Sequence, residues 1–131
     1  MRIHHIAISV KNLKASVDFY RDNFSFEVIK EFTKPGWDGG AVLLKLNDLQ
    51  LEVFQFRSST MNNDDMSNLK VIGLKHIGIQ VDSVFEVYNR LKMNNVDIDE
   101  PVKGTTCAWF CFLRDPSGIP IELYELLKDI K

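Results

Sequence analysis

Two histidines and two glutamates recur at matching places in this chain. His5 opens "HIAISV" and His76 opens "HIGIQV"; Glu52 stands inside "LQLEVFQF" and Glu122 inside "IPIELYEL". His5 and Glu52 are 47 residues apart, His76 and Glu122 are 46. A His…Glu pair is thus repeated together with its surroundings. A carboxylate within an apolar strand is costly unless it is paired, protonated or bound to a metal. If the two halves pack about a pseudo-twofold axis, two imidazoles and two carboxylates converge. They would make a mixed nitrogen and oxygen site suited to a divalent transition ion such as nickel, cobalt, zinc, manganese or iron. Four protein ligands leave an octahedral ion two open positions, enough to act as a Lewis acid toward two neighbouring oxygens of a chelating substrate.

The elements that must position these residues read as one plan used twice. In the first half a strand over Ile3 to Val10 places Ile6, Ile8 and Val10 on one face and His5, Ala7 and Ser9 on the other. Asn12 is a suitable N-cap, followed by an apolar helical stripe of Leu13, Val17, Tyr20 and Phe24. A strand near Phe26–Phe32, the turn-rich loop "TKPGWDGG" and strands over Ala41–Leu46 and Leu49–Phe56 complete the order β-α-β-β-β. Residues 58–71, polar and without periodicity, read as a linker between module one (1–57) and module two (72–131). In module two the strand "KHIGIQV" precedes a helix with Asp82 or Ser83 as cap, Ser83 and Glu86 being spaced as a capping box. Val84, Val87, Tyr88 and Leu91 form its stripe. Strands near Val96–Val102, Cys107–Leu113 and Ile119–Leu126 follow, the last two joined by the turn "DPSG". The fold class expected is α+β, with two tandem β-α-β-β-β modules.

The small residues Ala7, Ser9 and Gly78 share the histidine face and leave room for a cavity. Phe54, Phe56, Trp109, Phe110 and Phe112 read as core and cavity lining, and Trp37, in the glycine-rich loop, is a secondary candidate for a lid. His4 falls on the Ile6 face and has no counterpart, since Lys75 occupies its place. No phosphate-binding loop or nucleophile elbow is present.

Composition narrows the class. Of 131 residues, 45% are hydrophobic and 26% charged, with a net charge of −2 and no basic run, so a nucleic-acid partner is not expected. No apolar stretch approaches the ~20 residues of a membrane span, and the N-terminus alternates like a strand rather than a secretory leader. Cys107 and Cys111 share one strand face and read as reduced thiols. A cytoplasmic protein acting on a small molecule is the expectation.

The chain resembles the vicinal oxygen chelate superfamily, which includes glyoxalase I, extradiol dioxygenases, methylmalonyl-CoA epimerase and bleomycin-resistance proteins. The resemblance covers nearly the whole chain and rests on "HIAISVKNLKASVDFYRDNFSFEV", "KHIGIQV" and "FLRDPSGIPIELYE". It implies paired β-α-β-β-β modules whose curved, mostly antiparallel sheet encloses a metal cavity. It also implies that His5, Glu52, His76 and Glu122 match the metal ligands of bacterial glyoxalase I (lactoylglutathione lyase), one divalent ion per site, with nickel or cobalt ahead of zinc, manganese or iron. By that likeness the reaction would isomerise a thiol adduct of a 2-oxoaldehyde through a metal-stabilised enediolate. Glu122 would serve as the base and Glu52 is the alternative. Two departures from such enzymes stand out: Ser9 replaces an arginine that helps hold glutathione, and Phe56 replaces an asparagine four residues after the first glutamate ligand. Lys103 matches a basic loop residue near the substrate in relatives. The resemblance further implies a homodimer, with sites formed within one chain or across two. The alternatives are a metal-free binding protein of bleomycin-resistance type, an Fe(II) dioxygenase or an epimerase of the same superfamily.

Overall fold

Each half begins with a strand and turns into a helix through a capped end. The structure, a computed structural model, describes residues 1–128. Strand β1 (His5–Ser9) leads to helix α1 (Leu13–Phe24), where the Asn12 side chain accepts from the Ala15 amide at 3.0 Å. That bond satisfies one of the orphan donors of the first helical turn. Ser25 ends the helix in the left-handed region at φ +61°, donating its N–H to the carbonyls of Arg21 and Tyr20. Strands β2 (Glu27–Phe32), β3 (Gly39–Leu46) and β4 (Leu49–Phe56) follow. The second half has β5 (Ile77–Gln80), α2 (Val84–Met93), β6 (Val102–Lys103), β7 (Trp109–Arg114) and β8 (Pro120–Glu125). Ser83, rather than Asp82, caps α2 by accepting from the Glu86 amide.

The chain divides into two compact units, residues 1–61 and the part from Asn62 onward. Each holds a four-stranded mixed sheet, β1-β4-β3-β2 in the first and β5-β8-β7-β6 in the second. The first strand runs parallel to the last, and the other pairings are antiparallel. Parallel pairing requires a crossover, and the capped helix supplies it. This is the tandem β-α-β-β-β arrangement expected from the sequence.

One face of each sheet packs on its helix. Val17, Tyr20 and Phe24 of α1, with Leu44, Leu51 and Val53, are buried in the first unit; Val84 and Leu91 of α2, with Leu113, Ile121 and Leu123, are buried in the second. Side-chain alternation therefore turns every intervening residue of the central strands to the other face.

The strand expected near Val96–Val102 is much shorter. Only Val102 and Lys103 form β6, preceded by a single bridge between Ile98 and Leu113. Pro101 has no N–H to donate to a ladder. Arg114 clamps the segment instead, its guanidinium donating to both carboxylate oxygens of Asp97 and both of Asp99 at 2.7–3.2 Å. These bonds hold both aspartates below the usual carboxylate range and raise the Arg114 guanidinium. Depressed carboxyl pKa values stabilise the fold at pH above their unfolded value of about 3.9, and that contribution disappears as pH falls through the folded values. We expect Arg114→Met to cost about 1 kcal/mol at pH 7, the upper end for partly exposed pairs. The difference from wild type should shrink below about pH 4, which denaturant titrations at several pH values will measure.

Candidate functional site

In the first unit, β1 pairs with β4 so that His5 lies opposite Gln50, Ala7 opposite Glu52 and Ser9 opposite Phe54. These residues share the face turned away from α1, together with Phe56. His5 Nε2 is 4.0 Å from Glu52 Oε1, and the glutamate side chain keeps 26% of its exposure. The contact is too long for a direct hydrogen bond and short enough for both atoms to reach a common partner. His4 precedes β1, and its Nδ1 lies 3.0 Å from that of His5 with the rings edge to face. Either ring can donate in this contact, and when His5 donates from Nδ1 its Nε2 presents a lone pair on the glutamate side. Gln50, across from His5, has a buried Oε1 without a hydrogen-bond partner among the described residues. It is an acceptor still open to a donor.

The second unit repeats the geometry. Gly78 lies opposite Glu122, and His76, one turn of the pleat earlier, places Nε2 3.6 Å from Glu122 Oε1. Glu122 keeps 19% of its side-chain exposure. Phe112, directly across from Glu122, meets the His76 ring edge-on at 5.1 Å. Each His–Glu pair is thus formed within its own unit, and among the described residues no three His, Cys, Asp or Glu side chains gather at one point.

The other expected cavity residues divide. Ser9, Phe54 and Phe56 take the pair's face in the first unit. Trp109 does not take it in the second: it lies opposite Glu125 and packs on Phe85 of α2 at 4.8 Å, on the helix side. Lys103, paired with Trp109, shares that side and is exposed. Phe110 and Phe112 occupy the Glu122 face instead, opposite Tyr124 and Glu122. The correction follows from pairing: residues directly opposite in adjacent strands project to the same side. Cys107 and Cys111 are free and buried, and burial pushes the Cys111 thiol up to about 11, so both act as small packed side chains. Cys107 sits before β7 in a tight loop, where a Cβ at Gly104 would collide with its sulfur.

Two residues that sequence reasoning passed over hold the framework. Three positions after each glutamate, the strand turns a polar side chain to the helix side. Gln55 Oε1 accepts from the Leu13 amide, and Glu125 Oε1 accepts from the Val84 amide at 2.8 Å. Each strand that carries a site glutamate thereby anchors the N-terminus of its own helix, where an acceptor or anion is favoured. The signal was a polar residue at an inward position of an otherwise apolar face. Glu125→Ala should destabilise the protein by about 1–2 kcal/mol, and Glu125→Gln, which keeps an acceptor oxygen, by less; thermal unfolding of both variants decides.

Residues 2–123 match the Glyoxalase/Bleomycin resistance protein/Dioxygenase superfamily. The chain belongs to this superfamily. It is 31% identical to the uncharacterized protein YaeR of Escherichia coli (strain K12) over 126 residues, 95% of each chain. It is 25% identical to a lactoylglutathione lyase of Escherichia coli O157:H7 over 128 residues, covering 95% of this chain and 93% of that one. Among solved structures, a glyoxalase family protein from Enterococcus faecalis superposes with a TM-score of 0.81 at 29% identity, over 95% of this chain and 97% of the other. Its relatives include enzymes, among them lactoylglutathione lyase and methylmalonyl-CoA epimerase, and no helix among the described residues is long and apolar enough to cross a membrane.

Proposed function

We propose that this protein is a metal-dependent lyase or isomerase of glyoxalase type, acting on a thiol adduct of a 2-oxoaldehyde or a related small oxygenated molecule. The observation that carries the proposal is the twin His–Glu pair, formed at corresponding positions in both units on the face away from the helix. Imidazole nitrogen and carboxylate oxygen fit nickel, cobalt, zinc, manganese or iron, and the half-shielded position of both glutamates suits ligands that must still meet a substrate. Each pair offers two ligands, so the ion would be held by His5 and Glu52 of one chain together with His76 and Glu122 of a second copy. When bound, it supplies Lewis acidity toward two adjacent substrate oxygens.

The chain's own contribution is proton transfer and shape. Glu122 takes a proton from one substrate carbon and returns it to the neighbouring one, a general acid–base task for a carboxylate. Phe112 beside His76 and the small side chains Ala7 and Ser9 beside His5 set the walls. The likeness to a lactoylglutathione lyase supports the reaction class; Phe56 and Ser9 argue that the thiol is not held as glutathione is there. A cytoplasmic homodimer is part of the same proposal, and light scattering will test the dimer.

Elemental analysis of the purified protein is the first experiment. About one divalent ion per pair of His–Glu units, reduced in Glu122→Gln, is the expected result. Protein that folds and stays metal-free after incubation with each candidate ion would overturn the enzyme reading in favour of a metal-free binding protein.

A further inference from the structure

Beside Glu52, four aromatic side chains cover the same sheet face. Phe54 and Phe56 follow Glu52 at alternate positions of β4, and Phe32 joins them through the β2–β3–β4 pairing. Trp37 lies across this row, its ring centroid 5.1 Å from Phe56, 5.9 Å from Phe54 and 6.1 Å from Phe32. Phe54 and Phe56 are parallel within 13°. All four rings are half-buried, whereas Tyr20, on the helix side, is fully buried. They form a wall with one side open rather than a second core.

The loop that carries Trp37 is held in place. Gly36 adopts φ +88°, which turns the chain sharply before the tryptophan, and the Trp37 amide donates to the Lys34 carbonyl at 3.1 Å. Lys34 Nζ stands 5.4 Å from the indole centroid. Thr33 Oγ1 donates to the Gly39 carbonyl at 2.7 Å, and Asp38 accepts from the Ser58 amide at 3.0 Å. At Gly39 any Cβ would strike the Gln55 carbonyl, so β3 and β4 come together tightly just below the ring. Such a prearranged aromatic surface binds flat apolar groups at low conformational cost.

We infer that the Phe32–Trp37–Phe54–Phe56 wall binds an aryl substituent of the substrate, next to the two oxygens held at the metal. This inference rests on the proposed function for its chelating half. The spacing agrees: alternate residues of a strand lie ~6.6 Å apart, so a substrate that reaches the Glu52 carboxylate would bring an attached ring to Phe54 and Trp37. No charged side chain comes from the wall itself. The substrate class is therefore a small aryl compound with vicinal oxygens, such as the thiol adduct of an aryl 2-oxoaldehyde.

Benzohydroxamate and acetohydroxamate test this, because they share one chelating group and differ in phenyl against methyl. Their Kd values are measured by calorimetry on wild type, Trp37→Ala, Phe56→Asn and Trp37→Phe, with and without added nickel. We expect nickel-dependent binding with the phenyl compound preferred about tenfold. The preference should fall to about twofold in Trp37→Ala and Phe56→Asn and be retained in Trp37→Phe. Nickel-dependent binding with no phenyl preference, or a preference equal in all four proteins, overturns the aryl wall and leaves the metal reading intact. Benzohydroxamate binding that needs Trp37 but no metal supports the wall and overturns the metal reading. Failure of both compounds to bind overturns both.

Discussion

Glu122→Gln is expected to lower kcat on hemithioacetals of methylglyoxal or phenylglyoxal by about 10²–10⁴-fold, the range for losing a positioned general base. The amide keeps an oxygen at the same point of β8, so the strand and its packing persist, but it cannot accept a proton from carbon. Glu52→Gln provides the comparison. Both glutamates stand beside a histidine, at 4.0 Å in the first unit and 3.6 Å in the second, and they differ in surroundings. Glu122 is the more shielded, with Phe112 opposite it and against His76, while Glu52 leads into the aromatic wall. A base screened from water is less solvated and so more effective toward carbon. The assay is steady-state kinetics on both variants with metal content measured in the same samples. A larger loss of kcat per bound metal in Glu52→Gln would assign the base to the first unit instead.

Leu123→Ala should cost about 2–5 kcal/mol of stability, the second large effect. Leu123 is fully buried in the central strand β8, between Ile79 of β5 and Cys111 of β7, on the side facing α2. Truncation removes apolar burial and leaves a cavity that close-packed neighbours fill only in part. The loss reaches the site by alternation, since Glu122 is the adjacent residue and its side chain faces outward only while Leu123 is anchored inward. Leu126, a few residues later and about half exposed, is the control, and its replacement by Ala should stay within about 0.5 kcal/mol of wild type. Urea unfolding of the two variants measures the difference.

The amino-acid sequence alone determined the repeat and its local parts. Periods of two and near four residues marked β1, α1, β4, β5 and α2, and Asn12 and Ser83 cap their helices because their short acceptor side chains precede the first helical turn. The nearness of His5 to Glu52 and of His76 to Glu122 was also legible, since a repeated spacing on a repeated motif leaves few ways to differ. Tertiary structure decided what depends on pairing between distant strands. Trp109 and Lys103 turn to the helix side because Trp109 lies opposite Glu125, a register no local pattern contains. The strand before Lys103 gave way to the Arg114 clamp because Pro101 cannot donate to a ladder and two aspartates offered better partners. Phe32 and Trp37 join Phe54 and Phe56 only when β2, β3 and β4 align. Gln55 and Glu125 find the helix ends only when their strands pass beneath them. Local spacing fixes which face a side chain takes relative to its neighbours in sequence; what waits on that face is set by contacts between residues far apart in the chain.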